Sequence, residues 1–68
     1  MNKNDLKLVQ MAIGYAEDVI RRICLTNGME TYELGRNGYQ NLESTFYAMN
    51  SCWLDIQREL EGGANNAE

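Results

Sequence analysis

Residues 39–60, YQNLESTFYAMNSCWLDIQREL, carry the pattern that decides the fold. Large apolar side chains recur there at alternating intervals of three and four residues, at Tyr39, Leu42, Phe46, Met49, Trp53, Ile56 and Leu60. This spacing is typical of a helix that buries one face against another helix. Asn37 is a suitable N-cap, Gln40 is its capping-box partner, and Gly62-Gly63 ends the helix. The pattern predicts a helix over about residues 38–61.

The N-terminal third of the chain holds a second repeat with the same period. Its apolar positions are Leu6, Val9, Ile13, Ala16, Ile20 and Ile23. Asn4 can cap this helix and Asn27-Gly28 can stop it, which predicts a helix over about residues 5–27. The connector, residues 28–37, is long enough for the two helices to fold back antiparallel.

The expected fold is therefore all-α. Residues 1–61 form one domain, an antiparallel two-helix hairpin. The remaining residues, 62–68, read GGANNAE and are expected to be disordered.

The first helix carries more apolar surface than one neighbouring helix covers. A second apolar set flanks its repeat, and the second helix adds two similar positions: Leu8, Ala12, Tyr15, Val19, Tyr47 and Leu54. The polar face is left with Lys7, Gln10, Gly14, Glu17, Asp18 and Arg21. A 68-residue chain is marginal alone, so further copies of the chain are the expected cover. The hairpin is expected to self-associate into a four-helix bundle or a larger ring.

The composition argues against several classes of function. The net charge of −4 opposes binding to a long nucleic acid but leaves room for one small anion. The chain has no His, and its two cysteines, Cys24 and Cys52, form no CxxC pair, so we expect no metal site. Both thiols are expected to be reduced in a cytoplasmic protein, with a Cys24–Cys52 bridge across the hairpin as the alternative. No apolar run is long enough for a membrane span, and the N-terminus lacks a signal-peptide core.

Enzymatic activity is not expected either. Ser44, Ser51 and the two cysteines have no evident activating partner in the sequence. No residue pattern indicates a cofactor, so we expect none. The function should therefore be one of binding, with a purely structural coiled-coil subunit that holds no ligand as a further alternative.

The connector offers a candidate anion site in residues 34–43, LGRNGYQNLE. A helix that starts there presents unpaired N–H groups, and Arg36 adds a fork of donors for phosphate. The candidate ligand contacts are Arg22, Tyr32, Arg36, Asn37, Gly38 and Tyr39, with a tyrosine stacking on a base. A plain turn is the alternative, in which the glycines relieve backbone geometry and Glu30 and Glu33 pair with the arginines. Both interpretations remain open from the sequence.

One segment resembles a known family. Residues 41–50, NLESTFYAMN, have Leu42 and Glu43, then six residues, then Asn50. This is similar to the C-terminal helix of the phage anti-CBASS cyclic-oligonucleotide sponges, which are small oligomeric helical hairpins. The resemblance implies a non-catalytic immune-evasion protein that acts in the host cell cytoplasm and sequesters a cyclic di- or trinucleotide. It assigns no ligand contacts.

A different function is also compatible with the residues. An apolar helix face can dock on a host defence protein, so the chain is alternatively a small helical inhibitor or adaptor.

Overall fold

The computed structural model describes residues 1–62, and all the regular structure in that range is helical. Helix α1 spans Lys3–Thr26 and helix α2 spans Gln40–Leu60. Two single 3₁₀ turns, Thr31–Glu33 and Gly35–Asn37, lie between them. The helices pack against each other, which confirms the predicted helical hairpin. Of the predicted tail, Gly62 lies in a turn and residues 63–68 fall outside the described range.

Helix α1 begins two residues earlier than the sequence predicted. Asn2, rather than Asn4, is the N-cap, and its side-chain oxygen accepts a hydrogen bond from the Asp5 backbone N–H at 2.8 Å. The predicted stop is confirmed, because Gly28 adopts a left-handed φ of 71°. The Met29 N–H then closes the helix end by donating to the Cys24 carbonyl at 3.0 Å.

Helix α2 begins at Gln40, and the predicted capping box of Asn37 and Gln40 is wrong. The Asn37 side-chain amide donates instead to the Glu33 carbonyl at 2.8 Å. The N-cap position is Tyr39, which makes no side-chain capping bond. Gly38, with φ of 98°, ends the second 3₁₀ turn and separates Asn37 from the helix. A local side-chain bond within the turn has therefore replaced the expected cap.

The predicted apolar repeat of the second helix largely forms the hairpin interface. Phe46 and Ile56 are buried, and Met49, Trp53 and Leu60 are half-buried. The repeat fails only at its N-terminal end, where Tyr39 and Leu42 are exposed.

The interface of α1 differs from the predicted repeat at every second position. The side chains turned toward α2 follow the spacing 4, 3, 4, 3, 4 at Leu6, Gln10, Ile13, Glu17, Ile20 and Cys24. Val9 and Ile23, which were predicted to be buried, are 41% and 57% exposed. Since successive residues turn by about 100°, α1 is rotated by about 50° from the predicted orientation.

Contacts across the hairpin explain this rotation and show that the helices run antiparallel. The Gln10 side-chain amide donates to Gln57 Oε1 at 2.8 Å. A Cβ built on Gly14 would stand 3.3 Å from Trp53 Nε1, so the indole packs where a side chain is missing. These contacts draw the predicted polar face of α1 into the interface.

The third contact lies nearer the connector. The Arg21 guanidinium carbon lies 5.1 Å from the centre of the Phe46 ring. Arg21 is exposed, and its guanidinium covers the buried ring in a cation–π contact. The register set by these pairs places Asn50 at the level of Glu17, and Glu43 at the level of Cys24.

Candidate functional site

The start of α2 is occupied by a carboxylate of the chain itself. Glu43 Oε1 accepts a hydrogen bond from the Gly35 backbone N–H at 2.6 Å. A Cβ at position 35 would lie 3.0 Å from that oxygen, so the contact favours glycine there. The negative charge lies in the first turn of α2, where the helix dipole stabilises it.

The backbone donors expected to hold a phosphate are engaged within the connector. The Asn37 N–H donates to the Leu34 carbonyl at 3.0 Å, and the Gly38 N–H donates to the Gly35 carbonyl at 3.1 Å. The Tyr39 N–H also donates to the Leu34 carbonyl, at 2.9 Å. A phosphate could bind the two predicted N–H groups only if this turn opened. Side chains would otherwise have to hold it.

The two arginines of the candidate site differ in their partners. Arg36 is exposed, and its Nη1 lies 4.0 Å from Glu33 Oε2, at the limit of an ion pair. Arg22 forms a closer pair with Asp18, at 2.8 Å, on the exposed surface of α1. Exposed pairs of this kind contribute little, so both guanidinium groups keep donors for another anion.

A groove of about 300 Å³ lies where the end of α1, the connector and the start of α2 meet. Its walls are mostly apolar and comprise Ile23, Cys24, Asn27, Met29, Leu34, Tyr39 and Leu42. Of the six predicted ligand contacts, Tyr39 lines this groove, whereas Tyr32 lies elsewhere on the connector and is exposed. Tyr39 is therefore the one member of the predicted set that the groove contains.

A second, smaller depression lies on the other side of Cys24. It has a volume of about 240 Å³ and is lined by Arg21, Cys24, Leu25, Met29, Glu30 and Thr31. Sequence reasoning missed the groove because it assigned two of its wall residues, Ile23 and Leu42, to the helix interface. Gly28 was the residue that could have indicated these depressions, because the turn at Gly28 brings Met29 back beside the end of α1.

Cys24 is buried between the two depressions and Cys52 is exposed on α2. Both are free thiols, as predicted, and the alternative bridge between them is absent from the structure. The hairpin register explains why, because it places Cys24 beside the first turns of α2 and far from Cys52.

Within residues 1–62, no cluster of three or more His, Cys, Asp or Glu side chains is placed to bind a metal ion. Neither helix in the described range combines the length and the apolar character that crossing a membrane requires. The surface of α1 that faces away from α2 carries several exposed apolar side chains.

We call this surface the back face of α1 and define it as Leu8, Met11, Ala12, Tyr15 and Val19. Leu8, Met11 and Tyr15 are 64%, 68% and 73% exposed, Ala12 is exposed, and Val19 is half-buried. Tyr47 and Leu54 of α2 are also exposed, and the Tyr47 ring lies edge-on to Phe46 at a centroid distance of 5.4 Å. The side chains predicted to contact other copies are thus largely uncovered in one chain.

No protein-family model, curated protein or solved structure matches the chain. The resemblance carried by residues 41–50 therefore stays a prediction. Its three positions have distinct surroundings in the structure: Leu42 lines the groove, Glu43 binds the connector, and Asn50 is half-buried on α2. The segment therefore contributes one side chain to the groove and one that holds the connector.

Glu17 is the least expected member of the hairpin interface. It was predicted to lie on the polar face, yet it is only 4% exposed. Within the described residues, its Oε2 has no hydrogen-bond partner. A buried carboxylate oxygen without a donor costs free energy, so this position opposes rather than stabilises the observed packing.

Proposed function

We propose that the chain is a non-catalytic protein that sequesters a cyclic nucleotide as a homo-oligomer. The observation that supports this proposal is the groove at the connector end, with Tyr39 on its wall. Small-molecule sites combine apolar walls with a few polar groups, and this groove supplies the side-chain oxygen of Asn27, whose amide nitrogen donates to the Ile23 carbonyl. An exposed tyrosine ring is suited to stack on a base of any identity.

The size of the groove limits what one chain can hold. A volume of about 300 Å³ lies at the lower end for small-ligand sites. It accommodates one base and leaves the cyclic phosphates outside. Arg36, an exposed cation of the same connector, is available to contact them. A second chain would supply the other wall, and this is why the proposal includes a homo-oligomer.

The proposal is tested by calorimetric titration of cyclic di- and trinucleotides, with linear dinucleotides as ligand controls. Tyr39→Ala should weaken binding by about tenfold or more, since loss of a base stack costs about 1–3 kcal/mol. Tyr32→Ala is the matched control, because Tyr32 is an exposed tyrosine of the same connector outside the groove. Failure of every cyclic nucleotide to bind, or equal losses in the two variants, would overturn the proposal.

A second candidate function is supported by the exposed back face of α1. An amphipathic helix with such a face can dock in a groove of a host defence protein, as an inhibitor or adaptor. The acidic chain would favour a basic partner surface. This function requires a free back face, so hydrogen exchange and solution mass should then show a monomer at working concentration. If copies of the chain cover the face, and Tyr47 and Leu54 are dispensable, this candidate fails.

A further inference from the structure

We infer that the back face of α1 binds the same face of a second copy of the chain, antiparallel and about a twofold axis. This inference shares with the proposed function only the premise that the chain self-associates, and it requires no nucleotide. The order of side chains along α1 specifies the register in which the two copies pack.

The back face continues at both ends as a regular helical repeat. The positions follow the spacing 3, 4, 3, 4, 3 at Asp5, Leu8, Ala12, Tyr15, Val19 and Arg22. Such a repeat is typical of a helix that packs along a second helix. At about 100° per residue, these positions lie on the side of α1 opposite to Glu17 and Cys24. Helix α1 thus has one face packed on α2 and a second, apolar face that residues 1–62 leave largely exposed.

Side-chain sizes fit an antiparallel copy. In that arrangement Leu8 lies level with the partner's Val19, and Ala12 lies level with the partner's Tyr15. The small Ala12 leaves room for the large ring, and the twofold axis repeats each contact. A parallel copy would instead place Tyr15 level with the partner's Tyr15, and Ala12 level with the partner's Ala12. The two tyrosine rings would then be crowded, and a gap would remain between the two alanines.

Charge favours the same arrangement. The antiparallel register brings Asp5 level with the partner's Arg22 at each end of the contact. Asp5 is exposed, and Arg22 is exposed with Asp18 as its only ion-pair partner within residues 1–62. A parallel copy would place Asp5 beside the partner's Asp5 and Arg22 beside the partner's Arg22. Opposite charges at both ends therefore select the antiparallel copy as the partner.

A charge exchange between two variants tests the inference directly. Asp5→Arg alone places two arginines at each end, and Arg22→Asp alone places two aspartates there. Each variant should dimerise about tenfold more weakly than the wild type, since two like-charged pairs replace two opposite ones. An equimolar mixture should recover wild-type association as a heterodimer, because each chain then meets an opposite charge.

The measurement is sedimentation equilibrium over a concentration series without nucleotide, with native mass spectrometry to identify heterodimers. Ser51→Arg is the charge control on exposed α2 surface and should leave association unchanged. Circular dichroism confirms that each variant is helical. A wild type that stays monomeric overturns the inference, as does a dimer whose two variants do not recover on mixing. Tyr15→Ala must also weaken association. Nucleotide binding is measured in a separate experiment, so that failure of the dimer and failure of the proposed function can be told apart.

Discussion

The indole of Trp53 lies against Gly14, and a Cβ at position 14 would stand 3.3 Å from Nε1. The indole can pack this close to α1 because position 14 lacks a side chain. This contact also explains the orientation of α1. Turning α1 to bury Val9 and Ile23 would move Gly14 away from the indole and place a larger side chain beneath it.

Replacing Gly14 by leucine should destabilise the hairpin by about 1–3 kcal/mol, since the added atoms must displace the indole. Gly14→Ala should change stability by less than about 1 kcal/mol, because the better helix propensity of alanine offsets the tight contact. Urea unfolding followed by Trp53 fluorescence measures both values. Ala48→Leu, at an exposed position of α2, is the control for added bulk. Equal effects at positions 14 and 48 would contradict the packing.

The two apolar repeats were sufficient to predict an antiparallel helical hairpin, but not which face of α1 would be used. Two repeats overlap on α1 and share Leu6, Ile13 and Ile20. The more apolar one adds Val9, Ala16 and Ile23, and periodicity alone favours it. The structure uses the other repeat, which brings Gly14 against the Trp53 indole and Gln10 into a hydrogen bond with Gln57. Pairwise contacts of that kind are invisible to a periodicity argument.

The candidate site was predictable only in outline. Gly28 correctly marks the end of α1, and the glycine-rich connector does form the turn. The bond from Gly35 to Glu43 spans eight residues and depends on the path of two 3₁₀ turns. Local capping rules could not reveal it, since they consider positions within one turn of the helix start. The same bond places a carboxylate within residues 34–43, the stretch in which the sequence suggested an anion.

The buried Glu17 predicts an unusual gain in stability on substitution. Glu17→Leu should stabilise the hairpin by about 1–2 kcal/mol, because an apolar side chain replaces a buried carboxylate that lacks a donor for Oε2. For a chain of this size, that corresponds to a rise in Tm of several degrees. Glu17→Gln should give a smaller gain, since it removes the charge and keeps a polar group.

Glu59→Leu is the matched control for Glu17, because Glu59 is exposed on α2. It should change stability by no more than about 0.5 kcal/mol. Thermal unfolding monitored by circular dichroism at several protein concentrations separates folding from association. A loss of stability in Glu17→Leu would mean that the carboxylate has a partner in solution, and the observed hairpin packing would then need revision.

Gly38 should be intolerant of a side chain, because its φ of 98° is left-handed. Gly38→Ala should destabilise the chain by about 1–2 kcal/mol, since a Cβ meets the backbone in that region. Gly38→Asn should cost less, because asparagine tolerates left-handed backbone better than alanine. Chemical unfolding of the two variants measures the difference. Equal stability of the alanine variant and the wild type would contradict the left-handed turn that ends the connector.

Glu43→Ala should reveal whether this carboxylate serves the fold or a ligand. Its bond to the Gly35 N–H is charge-assisted and partly buried, so its loss should destabilise the chain by about 1–3 kcal/mol. The substitution also removes a negative charge from the start of α2, so an anion there should bind more tightly. Urea unfolding measures the first effect and nucleotide titration the second, with Glu59→Ala as the exposed control. Destabilisation with unchanged nucleotide affinity would place the phosphates away from this helix start and in the vicinity of exposed side chains such as Arg36. Unchanged stability would instead mean that the bond from Gly35 does not hold the connector against α2.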